Sequence, residues 1–133
     1  MKYRKINLEN DYPHLVKLWE KSPMNVAPPM DMMSSNAIVA YNEDGSIVGA
    51  VFIWLTQGSY TALIGFPILD MDYRKPDRKE VIRTLFDKAE TIASYLGYKY
   101  SLHYSGTRHM DNVMSSMGYQ IADPEVVSFL KKI

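Results

Sequence analysis

Apolar residues recur along this chain at two different spacings, and the switches between them mark out its elements. Over 77–97, Val81, Ile82, Leu85, Phe86, Ala89, Ala93 and Leu96 step by three and four, the spacing of one helical face. Asp77 and Glu80 have capping-box spacing at its start, with Asp in place of Ser or Thr, and Gly97 supplies a stop. A shorter stripe, Leu15, Leu18 and Trp19, predicts a helix that begins near Asn10 or Asp11 and runs to about Lys21. Met110, Val113, Met114 and Met117 predict a third, closed by Gly118.

Between the helices, β-rich runs at 3–7, 36–41, 46–55, 60–70 and 98–103 predict strands. Asp44-Gly45 supplies the tight turn of a hairpin, and Gln57-Gly58-Ser59 a second turn, so the middle three runs form a meander. Pro67 has no N–H to give to a ladder, so one edge of its strand is expected to be unpaired or bulged. Residues 22–36 break both periodicities with three prolines and four methionines, which predicts a loop holding at most a short helix. Two short runs around Asp123-Pro124-Glu125 predict a final hairpin.

The resulting order, β-α-(α)-β-β-β-α-β-α-β-β, predicts a single α/β (α+β) domain spanning 1–133. Its sheet would be mixed, mainly antiparallel and flanked by helices. Fifteen basic and fifteen acidic residues cancel, so broad attraction to nucleic acid or anionic lipid is not expected. The chain has no cysteine, which excludes disulfides, thiolate zinc sites and cysteine nucleophiles. The longest apolar run, 47–55, has nine residues and is too short to span a bilayer. A cytoplasmic location is the expectation.

Charge is unevenly placed despite that balance. Arg74, Lys75, Arg78 and Lys79 crowd the start of the long helix, with Asp77 among them. A helix N-terminus offers unpaired N–H groups and partial positive charge, which suit a phosphate, and added cations strengthen that preference. The same cluster also fits an ordinary solvated helix start, since no glycine-rich cradle accompanies it.

Several segments, taken with the order of elements, resemble the GCN5-related N-acetyltransferase (GNAT) family. Residues 42–50 (Asn-Glu-Asp-Gly-Ser-Ile-Val-Gly-Ala) resemble its hairpin. Residues 69–74 (Leu-Asp-Met-Asp-Tyr-Arg) resemble the end of its fourth strand, 85–102 its long helix and fifth strand, and 115–119 the end of its last helix. The resemblance implies that the fourth and fifth strands splay apart, with the backbone at Ile68 and Leu69 meeting acetyl-CoA or another acyl-CoA. A backbone donor near Leu69 would then polarise the thioester carbonyl. Arg74, Lys75, Asp77, Arg78 and Lys79 would bind the phosphates.

Two departures bear on function. The family's loop glycines are missing after Arg74, and Met114 stands where the family often has a tyrosine acid, with Thr107 at its usual upstream asparagine. Asp70 and His103 are the candidate general bases, each with an ordinary structural role as the alternative. Tyr104 is the candidate acid, with Tyr119 as a second choice. His14, His103 and His109 have no metal-site spacing. The leading reading is therefore direct acyl transfer to a primary amine on a small molecule or peptide. The alternative is a catalytically inactive GNAT-fold binding or assembly module. A homodimer is left open.

Overall fold

Five strands and three α-helices alternate in a computed structural model that describes residues 1–104, 110–125 and 129–133. In chain order they are β1 (Lys2–Lys5), α1 (Leu8–Lys21), β2 (Ala37–Tyr41), β3 (Ile47–Leu55), β4 (Thr61–Leu69), α2 (Arg78–Tyr95), β5 (Tyr100–Leu102) and α3 (Asp111–Ser116). The proline- and methionine-rich stretch holds one 3-10 turn, Met30–Met32. The strands form one sheet in the order β1-β2-β3-β4-β5. The first four are antiparallel neighbours, and β5 returns through α2 to lie parallel to β4. The expected mixed, mainly antiparallel sheet is what the chain forms.

Alternation along β2 and β3 sends successive side chains to opposite faces, and each face carries its own core. Ala37, Val39, Ala50 and Phe52 pack with Leu15, Leu18 and Trp19 of α1. Ile38, Ala40, Val51 and Ile53 pack with Val81, Leu85, Phe86 and Ala89 of α2 and with Val113 and Met114 of α3. Trp19, Phe52 and Phe86 are fully buried, each contributing roughly 1.5–3 kcal/mol by burial. Met114 therefore does core work, as its place on the apolar stripe foretold.

The helix ends explain where the expected boundaries move. At α1 the cap is Asn7, whose side chain accepts from the Asn10 N–H, rather than Asn10 or Asp11. Asp11 turns inward instead and is held by two bonds from Arg4, at 2.7 and 2.9 Å, and one from the Asn7 N–H at 2.8 Å. At α2, Gly97 takes φ +93°, and the Tyr98 N–H bonds back to the Ala93 carbonyl. This Schellman closure takes Tyr98 out of the strand, and with Lys99 and His103 also outside it β5 is three residues long instead of six. Gly118 and Tyr119 close α3 in the same way, the Tyr119 N–H reaching Met114 O at 3.1 Å. No strand forms among the described residues after α3; residues 126–128 of the expected last hairpin lie outside them.

Candidate functional site

The sheet opens where β4 outruns β5. The two pair at Thr61–Tyr100, Ala62–Ser101 and Leu63–Leu102, and beyond that β4 continues with no strand on its outer side among the described residues. At the apex the His103 imidazole takes the place of the next rung, its Nδ1–H donating to the Ile64 carbonyl at 3.0 Å. Phe86 meets that ring edge-on with centroids 5.2 Å apart. Nε2 is buried with no partner among the described residues, and burial holds the imidazole pKa below its ordinary value despite the bond to Ile64. His103 is thus a neutral wedge in the fork.

A bulge then turns the open part of β4. Ala50 pairs with Ile68 and Phe52 with Gly65, so Phe66 and Pro67 together face Val51. Phe66 sits at φ +50°, a left-handed conformation rare for an aromatic residue. The inserted residue inverts the alternation. Ile64 and Leu69, an odd number apart, both face α2, while Ile68 faces α1. Beyond the bulge the Asp70 N–H donates to Val48 O at 2.7 Å. By strand alternation, the Leu69 N–H and C=O point to the open edge. The expectation that Pro67 marks an unpaired or bulged edge is met by this bulge.

Past β4 the chain is pinned by charge. Asp70 accepts from Lys21 Nζ at 2.6 Å and from the Asp72 N–H at 3.0 Å, and Asp72 takes the same ammonium at 2.9 Å. Partial burial pushes the Asp70 carboxyl up, but Lys21 and the Asp72 N–H outweigh it and leave the pKa low. Arg78 also turns inward, bonding the carbonyls of Asp70 at 2.7 Å and Tyr73 at 2.8 Å. It braces the loop, whereas Arg74, Lys75 and Lys79 remain exposed.

The expected capping box does not form. The Asp77 carboxylate accepts from the Tyr73 hydroxyl at 2.8 Å and makes no cap bond. Burial and that carboxylate push the Tyr73 pKa up to about 12. The first-turn N–H groups of α2 are therefore left without a side-chain cap, beside three exposed cations.

The candidate residues fall into two places. Ile68, Leu69, Asp70 and the basic loop gather at the mouth of the fork. His103 lies at its apex, six residues back along β4 from Asp70 by its bond to Ile64, or roughly 15–20 Å. Asp70 and His103 are therefore not aimed at one reacting atom. Tyr104 is exposed, while the Tyr119 hydroxyl is bonded to Ser101, with burial raising its pKa. Thr107 and His109 lie outside the described residues. Sequence reasoning missed Lys21, which nothing local marks as a partner of Asp70. It also missed the conformation of Phe66, for which neighbouring Pro67 was the only signal.

Among the described residues no group of acidic and histidine side chains is placed to hold a metal, and no helix is long and apolar enough to cross a membrane. No family model matches the chain, and no curated protein matches it. Solved structures do. A transcriptional regulator from Bacillus halodurans C-125 superposes with TM-score 0.73 at 17% identity, over 97% of this chain and 99% of the other. Glucosamine-6-phosphate N-acetyltransferase from Arabidopsis thaliana gives 0.72 at 13%, covering 98% of each chain. A GNAT-superfamily phosphinothricin acetyltransferase from Sinorhizobium meliloti, solved with AcCoA, gives 0.69 at 12%, over 88% of this chain and 73% of the other. The chain has the GNAT fold.

Proposed function

We propose that this protein is an acetyl-CoA-dependent N-acyltransferase that transfers its acyl group directly to an amine. The observation that carries the reading is the fork. It presents a β4 edge unpaired among the described residues, with the Leu69 N–H directed outward, beside a helix start without a side-chain cap and exposed cations. Acetyl-CoA, when bound, supplies an activated thioester. The Ile68–Leu69 backbone would align it, with the Leu69 N–H donating to the carbonyl oxygen as charge develops there. Arg74, Lys75, Lys79 and the α2 start would hold the phosphates. Arg78 supports that loop from beneath rather than by contact.

The acceptor amine would add to the carbonyl directly, without a cysteine-bound intermediate because the chain has no cysteine. Collapse of the adduct would break the C–S bond and release CoA as a thiolate, which takes a proton from solvent. Its proton passes to solvent, because Asp70 is engaged by Lys21 and His103 is enclosed. Solved relatives in fold include proteins named for acetyl transfer to glucosamine 6-phosphate and to phosphinothricin, which agrees with this reaction class.

Calorimetry with acetyl-CoA and CoA tests the reading. Binding is expected to weaken at least tenfold in the double variant Arg74→Glu plus Lys79→Glu. Absence of binding at millimolar acetyl-CoA overturns the proposal. Binding without thiol release across an amine panel leaves the fold as a cofactor-binding module instead.

A further inference from the structure

On the α1 side of the sheet an aromatic row climbs from the core to the surface. Trp19 stacks on Phe52 at 6.0 Å, Phe52 meets Trp54 at 6.1 Å, and Trp54 meets Phe66 edge-on at 5.5 Å. The first two rings are buried, Trp54 is half-buried and Phe66 is 39% exposed. The exposed end is held in an unfavourable backbone conformation, φ +50°, at the bulge that opens β4. Folding alone does not call for a large ring in that position, because glycine adopts the conformation freely.

The loop over 22–36 borders this row. Ser34 and Asn36 hydrogen-bond to the carbonyl and N–H of Ile53, beside Trp54, and Met32 and Ala27 pack on the same cluster as Trp54. That loop brings methionines and a single carboxylate, Asp31. The carboxylates past the end of β4, Asp70 and Asp72, already share Lys21. A polycation would find little to neutralise it here, whereas a flat apolar group would find rings and thioethers.

We infer that Trp54 and Phe66 form the acceptor seat, and that the acceptor is a monoamine carrying an aromatic group a few bonds from its nitrogen. This assignment rests on the acyltransferase reading for its chemistry. Phe66 stands three residues before Leu69, no more than about 10 Å along the strand. A ring lying on the pair would therefore leave a short amine arm near the outward N–H.

Direct binding to the free protein provides the test. The chain has two tryptophans, of which Trp19 is 1% exposed, so fluorescence changes on ligand binding report Trp54. Saturable quenching is expected with 2-phenylethylamine but not with butylamine or spermidine. Phe66→Gly removes the ring and relieves the backbone, so the variant is expected to fold while binding 2-phenylethylamine at least fivefold more weakly. Phe66→Asn, which also tolerates this conformation, should behave alike. Tighter binding of spermidine than of 2-phenylethylamine, or undiminished 2-phenylethylamine binding by both variants, overturns the assignment. Acetyl-CoA calorimetry on the same samples separates the two ideas. Lost cofactor binding with intact aralkylamine binding removes the transferase reading, and the reverse pattern removes the aromatic seat.

Discussion

Gly49 offers a sharp probe of the fork because it couples packing to the outward Leu69 N–H. It pairs with Leu69 across β3 and β4. A Cβ added there would lie 2.6 Å from the Ile68 carbonyl oxygen and 2.8 Å from Leu69 Cδ1. The second contact is with a side-chain end, though one packed in the core. The first is backbone, fixed by the ladder on either side, so β3 and β4 must part locally. Overpacking of this kind costs about 1–3 kcal/mol. In a domain of 133 residues each kcal/mol moves Tm by roughly 3–5 °C, so Gly49→Ala should melt about 3–15 °C lower. Thermal unfolding followed by circular dichroism measures this. The strand shift also displaces the Leu69 N–H, and kcat/KM for thiol release should fall roughly tenfold or more. A variant melting within about 1 °C of the native protein, with unchanged kcat/KM, would refute the claim that Gly49 sets the approach of β4.

Other expectations follow from the same contacts. Asp11→Ala should lower stability by about 1–3 kcal/mol in urea titration, because it leaves Arg4 and the Asn7 N–H without their acceptor. Arg4 holds the Asp11 carboxyl below its ordinary pKa. Its stabilisation is therefore complete above the unfolded value near 4 and is lost as pH falls through the folded one. The stability gap between native protein and Asp11→Asn should narrow as pH falls below about 4, and a constant gap would contradict the pairing. Gly97→Ala, at φ +93° with open space around it, should cost about 1 kcal/mol from backbone strain alone, read as a Tm decrease. Arg78→Met should lower Tm by releasing the Asp70 and Tyr73 carbonyls. Lys79→Glu should leave Tm nearly unchanged and weaken acetyl-CoA binding instead.

Much of the fold is legible because short-range chemistry dictates it. The three-and-four stripe from Val81 to Leu96 is long enough that only a helix gathers those side chains on one face, and Gly97 ends it by a conformation that other residues resist. Asp44-Gly45 turns the β2–β3 hairpin for a similar local reason, with Gly45 at φ +86°. Pro67 announced the broken edge of β4, since a missing N–H is a property of the residue itself. The boundaries of β5 and the cap of α1 were less legible. Tyr98 and Asp11 had competing partners, and the better bond lay in the Schellman closure and with Arg4.

The site divides along the same line. By itself the sequence determined the elements, the fork-marking proline, the basic segment at the α2 start and the absence of a cysteine route. Only tertiary structure decided which of those groups are available. Lys21 meets Asp70 across 49 positions of sequence, Arg78 folds under its loop while Lys79 stays in water, and His103 fills the apex. It also aligned Trp54 with Phe66 across two strands. Periodicity and turn chemistry act over a few residues and specify what each segment can bury. The pairing of charges and rings is set by which segments the common core brings together, and no local pattern records that.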